Sequence, residues 1–290
     1  MSELRVFQSL WATEMRRPGV PEAPIPERFD RVKDAGYDGL AIDLGATDLL
    51  VAQSCIGEYL RTGLKGLVIA FPTSIEALRP ALHLAKEIGA PFVVVIGKVM
   101  PLAVEDMIPV VRGWMRLAAE ESVPIQFETH RNCITNDLYT TVQLLDAIPE
   151  MRMTADLSHY VVDREMPCPP SALLQELIGR VLDRCDSFQG RIAGRGQIQL
   201  PLHFPQNQKW VNLFKQWWRE GFASWISRHA ASAEPLIFTC ELGPPDYAIT
   251  DCEGREMSNR WAESLQIADW VRGLWKETVD AGNAAKSHSA

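Results

Sequence analysis

The sequence predicts an α/β fold in which residues 1–280 form a single (β/α)₈ TIM barrel and residues 281–290 form a disordered tail. Segments with strand character alternate with segments of helix character, and each pair takes roughly 30 to 35 residues. No GxGxxG motif follows the first strand, which weighs against a doubly wound sheet. Polar residues instead mark the ends of many strands, and in a closed barrel those ends meet at one mouth.

The composition indicates a globular protein with a sizeable core and limits its partners. Of the 290 residues, 47% are hydrophobic and 23% are charged, with a formal net charge of −8. The negative charge gives no general attraction for phosphate backbones, which argues against a nucleic-acid partner. The six cysteines show no CxxC spacing, and the sequence has no signal peptide and no apolar run of membrane-spanning length. We therefore expect a cytoplasmic protein with reduced thiols and no membrane partner.

The first half of the chain contains four strand–helix pairs. The fourth strand, PFVVVIGKV, is a nearly continuous apolar run, as expected for a strand that is buried on both faces of a parallel sheet. Gly36 follows the first helix and Ser74 precedes the third, in the positions that helix caps favour. Strands are predicted at 4–13, 39–44, 64–71 and 91–99, and helices at 27–35, 47–63, 74–88 and 102–121.

Three residues near the strand ends of this half are candidates for contact with a substrate. Trp11 lies near the end of the first strand and either forms a wall of the pocket or packs under the first loop. Asp43 ends the second strand and either contacts substrate or is a helix-capping or solvated residue. Lys98 follows the fourth strand and either holds a phosphate or carboxylate of the substrate or is merely solvated.

The segment 124–162 combines two short strands, a helix at 136–148 and four side chains that can bind metal. Side chains alternate along an extended strand, so each strand presents one polar set on a single face. These sets are Gln126, Glu128 and His130 on the first strand and Arg152, Thr154 and Asp156 on the second. Buried carboxylates are costly unless a cation meets them. Because Glu128, Asp156 and His159 converge on neighbouring strand ends, a divalent cation is the simplest explanation.

The last part of the chain supplies two further strands and the helices that close the barrel. The seventh strand and its turn are predicted at 188–196, FQGRIAGRG, and the eighth at 235–243, PLIFTCELG, with Ile237, Thr239 and Glu241 on one face. The tryptophan-rich helix at 208–229 either packs against the barrel or forms a subunit interface of a homo-oligomer. The other helices are predicted at 171–184 and 260–279.

Four stretches carry a resemblance to a known family. They are FETHR at 127–131, ADLSHY at 155–160, AGRGQIQLP at 193–201 and TCELGPPDY at 239–247. In sequence and spacing these stretches resemble the fifth to eighth strand ends of the xylose isomerase-like TIM barrels, the sugar phosphate isomerase and epimerase superfamily. The resemblance implies a catalytic metal held by a Glu, an Asp, a His and a second Glu. It also implies a reaction that interconverts ketoses and aldoses or epimerises ketoses.

On this resemblance the substrate is a small carbohydrate, namely a sugar, a sugar acid or a sugar phosphate. Glu128 and Glu241 would be metal ligands as well as the base and acid that move a proton through an enediolate. His130 and His159 would bind hydroxyls or the developing oxyanion. Arg195 would fix a negatively charged substrate group or pair with a site carboxylate. Oxygen and imidazole ligands suit one Mn²⁺, Mg²⁺, Co²⁺ or Zn²⁺ ion.

The seventh strand departs from the family pattern, because GRIAGRGQIQ has no histidine where the family usually places a metal ligand. Gln197, Gln199, His203 or a water molecule could take that place. We favour Gln199 as the fourth metal ligand beside Glu128, Asp156 and Glu241, since it lies nearer the strand end than His203. A neutral amide donates less charge than imidazole, so the cation should be held loosely.

Two other function classes use the same kind of fold. A metal-dependent endonuclease for abasic DNA would need more histidines at strand ends and a basic groove, whereas this acidic chain has six histidines in all. A barrel that has lost its metal and its activity would bind no metal and would not exchange substrate protons with solvent.

Overall fold

The computed structural model describes residues 3–17, 19–229 and 234–288, and it contains a closed barrel of eight strands. Neighbouring strands are parallel and follow the order of the chain, and the eighth strand pairs with the first. The predicted (β/α)₈ barrel is therefore confirmed. The strands are β1 (Leu4–Ser9), β2 (Gly39–Asp43), β3 (Lys65–Ala70), β4 (Val93–Val95), β5 (Ile125–Glu128), β6 (Met153–Ala155), β7 (Cys185–Gly190) and β8 (Leu236–Cys240).

The helices connect successive strands and surround the barrel. Asp137 and Ser171 accept hydrogen bonds from backbone N–H groups at the starts of α6 and α8, as expected for N-caps. Where one helix was predicted at 47–63 the structure has two, and α7 was not predicted. The helices are α1 (Ile25–Asp34), α2 (Leu49–Ser54), α3 (Ile56–Thr62), α4 (Arg79–Glu87), α5 (Val104–Glu120), α6 (Leu138–Ala147), α7 (Leu157–Asp163), α8 (Ala172–Leu182), α9 (Gln208–Arg228) and α10 (Arg260–His288).

The last helix is longer than predicted. It continues beyond Val279 to His288 and so includes most of the segment for which the sequence predicted disorder. Residues 289 and 290 lie outside the described part of the chain, and the division into a barrel and a tail stays a prediction. Within the described residues, no helix combines the length and the apolar character that crossing a bilayer requires.

The tryptophans of α9 pack inside the chain. Trp217 and Trp218 are at most 1% exposed, and the Trp218 ring meets Phe238 of β8 edge-on at 5.2 Å between centroids. Phe222, on the same helix, contacts Phe188 of β7 at 5.3 Å between centroids. The interpretation of this helix as barrel packing is therefore confirmed, whereas a homo-oligomer stays a prediction.

The seventh strand lies earlier in the chain than predicted. It begins at Cys185 and ends at Gly190, while the prediction placed the strand and its turn at 188–196. Its first residues include Asp186 and Ser187, so the segment lacks the apolar run that marks the other buried strands. The shift matters because it changes which side chains of the seventh strand point into the barrel.

Candidate active site

A cavity of about 450 Å³ opens at the carboxyl ends of the strands, where active sites of this barrel architecture lie. Most of the predicted site residues line it, whereas Asp156 and His159 are fully buried beside it. The cavity is lined by Trp11, Arg16, Asp43, Gly45, Ala46, Phe71, Ile96, Lys98, Glu128, His130, Arg191, Glu241 and Tyr247.

Three carboxylates, which we call the acidic triad, meet at the base of this cavity. Glu128 ends β5, Asp156 follows β6 and Glu241 follows β8. One ligand oxygen from each lies within 4.8 Å of the others, and none of the three residues is more than 4% exposed. The alternation of side chains along the parallel strands brings the three carboxylates together at one end of the barrel.

Burial and mutual repulsion set the electrostatics of the acidic triad. Burial, together with the neighbouring charges of Glu241 and Asp156, raises the pKa of Glu128 well above its usual range. Burial also raises the pKa of Glu241 to about 8, although Arg191 opposes the shift. Burial alone would raise the pKa of Asp156 as well, but Arg191 and His159 hold it below its usual value. Charge is therefore unequally distributed in the triad, with Asp156 the most readily ionised member.

Two side chains at the end of β7 reach the acidic triad, Gln189 within the strand and Arg191 directly after it, and neither was predicted from the sequence. Arg191 is 2% exposed, and its Nη2 atom lies 2.5 Å from Glu241 Oε2 and 3.4 Å from Asp156 Oδ2. Gln189 donates from Nε2 to Glu128 Oε2 at 2.7 Å. With the strand end placed at Gly190, alternation from Ser187 through Gln189 to Arg191 would have predicted both contacts.

His130 and His159 stand beside the triad with their rings 3.9 Å apart between centroids. Both ring nitrogens of His159 are buried without a hydrogen-bond partner in the described part of the chain, although Nε2 is 3.4 Å from Asp156 Oδ2. Burial lowers the pKa of both imidazoles, that of His130 to about 2. Neutral imidazoles leave lone pairs for coordination or hydrogen bonding, and His130, His159 and Glu128 form a second group of closely spaced ligand atoms.

Aromatic rings form one wall of the cavity. Trp11 and Tyr247 meet edge-on at 5.0 Å between centroids, and Arg191 lies over the Tyr247 ring at 4.7 Å. Gly243 allows the Trp11 ring to approach the loop after β8, because a Cβ atom there would meet that ring at 2.4 Å. Of the two alternatives for Trp11, the structure therefore has the one in which its ring lines the pocket.

Asp43 and Lys98 also line the cavity, and each already has a protein partner. Asp43 accepts a hydrogen bond from Gly45 N at 2.6 Å, and burial raises its pKa to about 6 despite the backbone donors. Lys98 Nζ donates to Asn132 O at 2.6 Å. Both side chains can reach a ligand in the cavity, but a role in substrate binding stays a prediction.

The residues predicted from the loop after the seventh strand lie apart from the triad. Arg195 is exposed and pairs with Glu165 at 3.4 Å. Both ends of the Gln199 amide are used by the Gly243 backbone, at 3.0 and 2.7 Å, so Gln199 is not placed as a metal ligand. Gln197 is exposed. His203 lines a separate groove of about 640 Å³ near the start of α10.

Comparison with known proteins finds likeness in structure only. No family model matches the chain, and no curated protein matches it. Among solved structures, L-ribulose 3-epimerase is similar over 98% of both chains, with 10% identity and a TM-score of 0.61.

Two further solved structures share the fold over nearly the whole chain. A xylose isomerase-like TIM barrel protein from Mycobacterium smegmatis in complex with magnesium shows 15% identity over 93% of this chain and 97% of its own, with a TM-score of 0.60. The D-psicose 3-epimerase with D-tagatose from Clostridium cellulolyticum H10 shows 12% identity over 93% and 99%, with a TM-score of 0.54. The chain therefore has the fold of the xylose isomerase-like TIM barrels.

Proposed function

We propose that this protein is a divalent-metal-dependent isomerase or 3-epimerase of a small sugar, sugar acid or sugar phosphate. The observation that carries the proposal is the pair of carboxyl groups from β5 and β8, Glu128 and Glu241, which line one cavity and have raised pKa values. Two carboxyl groups with raised pKa values, at the ends of two strands that face the same cavity, suit transfer of a proton to and from carbon.

The donor set fits a hard or borderline cation. Three buried carboxylates face a single guanidinium, and Asp156 Oδ2 is buried without a hydrogen bond in the described part of the chain. The acidic triad would hold the ion, and the amide oxygen of Gln189, which also lacks a partner, would replace the missing strand-seven imidazole. When bound, the ion supplies polarisation of a substrate carbonyl and greater acidity of the adjacent C–H.

The proton chemistry falls to Glu128 and Glu241. One carboxylate removes the proton from the carbon beside the carbonyl. The electron pair of that C–H bond forms a carbon–carbon double bond while the π pair of the carbonyl moves to its oxygen, which gives an enediolate. The other carboxyl group returns a proton, to the opposite face of the same carbon in an epimerase or to the neighbouring carbon in an isomerase. His130 and His159, as neutral imidazoles, would donate or accept hydrogen bonds at the substrate hydroxyls.

Exchange of substrate protons with solvent tests the proposal. Purified protein with Mn²⁺ is incubated in D₂O with a panel of ketopentoses, ketohexoses, sugar acids and their phosphates, and NMR follows deuterium beside the carbonyl. We expect incorporation into at least one substrate by the wild type, and loss of it in Glu128→Gln, which keeps the shape of the side chain but removes the base.

The control is the exposed Arg195→Ala variant, which should exchange at the wild-type rate. Absence of exchange across the panel, in protein shown by elemental analysis to contain Mn²⁺, would contradict the proposal. Equal exchange by wild type and Glu128→Gln would instead contradict the assignment of the base.

One observation favours a second candidate, a metal-dependent phosphodiester hydrolase. The group of Glu128, His130 and His159 offers nitrogen ligands beside the triad, so two ions could bind to either side of Glu128. Within the described residues, His130 and His159 are the two histidines that approach the triad. A nuclease that binds several zinc ions would need more histidines than these two. Hydrolysis of bis(p-nitrophenyl) phosphate with Zn²⁺, together with two bound ions per chain, would favour this candidate.

A further inference from the structure

The Arg191 guanidinium lies where the acidic triad would meet a cation. Its Nη2 atom is 2.5 Å from Glu241 Oε2 and 3.4 Å from Asp156 Oδ2. The same two side chains contribute ligand oxygens to the triad, whose members lie within 4.8 Å of one another. The Arg191 guanidinium and a metal ion held by the triad would therefore both contact the carboxylates of Asp156 and Glu241.

We propose that Arg191 is a resident counter-cation that competes with the divalent cation for Asp156 and Glu241. This inference rests on the cation site of the proposed function, but not on the reaction catalysed there. Without the ion, the guanidinium compensates part of the charge of three buried carboxylates. When the ion binds, Arg191 gives up its bond to Glu241, so breaking a buried ion pair offsets part of the binding free energy.

The cavity can receive the displaced guanidinium. The Nε and Nη1 atoms of Arg191 are buried and have no hydrogen-bond partner in the described part of the chain. The Arg191 Cζ atom lies 4.7 Å from the Tyr247 ring centroid and 5.8 Å from that of Trp11. A guanidinium that moves along aromatic faces keeps a favourable cation–π contact. The shifted Arg191 would present its free N–H groups to an oxygen of the substrate.

Competition of this kind makes weak metal binding a property of the end of β7. The family that the sequence resembles usually has a metal-binding histidine near the end of the seventh strand. This chain has the neutral amide of Gln189 and the positive charge of Arg191 there instead. A neutral amide attracts a divalent cation less than an imidazole does, and the positive guanidinium repels the cation. Removal of the guanidinium should therefore tighten metal binding, which is the reverse of what the loss of a supporting side chain would do.

Calorimetric titration of Mn²⁺ into the metal-free protein tests the inference. We expect Arg191→Met, which keeps the length of the side chain without the charge, to lower the dissociation constant for Mn²⁺ by about tenfold or more. Arg191→Lys should stay nearer the wild type because it keeps the charge. Arg195→Met, a matched change at an exposed arginine a few residues further on, should bind Mn²⁺ as the wild type does.

Three results would overturn the inference. They are binding by Arg191→Met that is no tighter than the wild type, a gain of the same size in Arg191→Lys, and no Mn²⁺ binding by any of the proteins. Neither this titration nor the one below contains a sugar. Absence of isomerase activity would therefore contradict the proposed function alone.

A second measurement on the wild type covers the case in which Arg191→Met does not fold. The ¹⁵Nε resonance of Arg191, assigned by its absence from the spectrum of Arg191→Lys, is followed while Mg²⁺ is added. We expect the resonance to shift along a saturating curve, because the guanidinium leaves Glu241 when the ion binds. An unchanged resonance at millimolar Mg²⁺ would overturn the inference.

Discussion

The two halves of the barrel interior differ in chemistry. Strands β1 to β4 fill their half with apolar side chains that form one buried cluster, whereas β5 to β8 fill theirs mainly with polar ones. The first set includes Phe7, Ala41, Leu67, Ile69 and Val94, and the second includes Gln126, Glu128, Thr154, Asp156, Ser187, Gln189, Thr239 and Glu241. The apolar half contributes cohesion, and the acidic triad belongs entirely to the polar half.

Within the polar half, depth separates structural groups from the candidate site. In the deeper layer Gln126, Thr154 and Ser187 satisfy one another, with the Ser187 hydroxyl donating to Gln126 Oε1 at 2.6 Å. In the layer at the mouth, atoms of Asp156, His159, Gln189 and Arg191 are buried without partners. Buried polar atoms without partners are costly in a folded protein, so the outer layer is the one shaped for a ligand.

The largest effect should come from the polar half. Glu241→Gln keeps the size of the side chain but removes a proton-transferring group, so we expect the turnover number with any substrate that exchanges deuterium to fall by about 10² to 10⁴-fold. Steady-state kinetics with saturating Mn²⁺ measures the change. Thermal unfolding of the same preparation shows whether the fold is intact, and an intact variant with wild-type turnover would exclude Glu241 from the chemistry.

In the apolar half, a truncation should affect stability rather than chemistry. Leu67 is 2% exposed in the apolar cluster of the barrel interior, so Leu67→Ala should lower the free energy of unfolding by about 2–5 kcal/mol through lost burial and a residual cavity. Chemical denaturation measures this loss. The turnover number of the folded fraction should stay close to the wild-type value, and a drop as large as that of Glu241→Gln would remove the division between the halves.

The sequence predicted the polar half unevenly, and the reason is local. Glu128 and Asp156 end strands with clear apolar signals, so alternation located them correctly, and Glu241 followed from the similar pattern of β8. Strand β7 carries Asp186, Ser187 and Gln189, and its weak apolar signal placed the strand end too late. Gln189 and Arg191 were therefore missed, and Gln199 and Arg195 were chosen in their place.

The fold was easier to predict than the contacts inside it. Eight alternating segments determine a barrel even when single boundaries are wrong by several residues, because the closure depends on the order of the elements. A contact such as Arg191 to Glu241 depends on which residue ends a strand, and a shift of one position turns a side chain to the other face. The sequence pattern alone therefore does not determine which side chains pair with one another inside the site.

Two buried acidic groups that line the cavity, Glu241 after β8 and Asp43 at the end of β2, should also make the metal-free protein less stable as the pH rises. The pKa of Glu241 is about 8 and that of Asp43 about 6 in the folded chain, above their usual values of 4.5 and 3.8. Between the usual pKa of each group and its raised pKa in the folded chain, the folded state binds more protons than the unfolded state. The free energy of unfolding therefore falls as the pH rises through this range. Asp156, whose pKa is lowered, contributes its loss only at lower pH.

Thermal unfolding in the presence of a chelator measures this dependence. We expect Tm to fall by at least about 2 °C between pH 5 and pH 8. The slope should be smaller in Glu241→Gln, which does not titrate. Added Mn²⁺ should also reduce it, because the ion favours the ionised carboxylates. A Tm that rises across this range in the metal-free wild type would mean that the triad is better compensated than its geometry indicates.

The smallest effect should come from Arg195, on the loop that follows β7. Its guanidinium is exposed and pairs with the exposed Glu165 at 3.4 Å, and exposed pairs of this kind contribute roughly 0–1 kcal/mol to stability. We therefore expect Arg195→Ala to leave kcat/KM unchanged for neutral and acidic substrates alike. Steady-state kinetics with one substrate of each class measures both values. A tenfold loss confined to the acidic substrate would mean that this loop closes over the mouth when substrate binds, and that Arg195 fixes the substrate anion as the sequence had predicted.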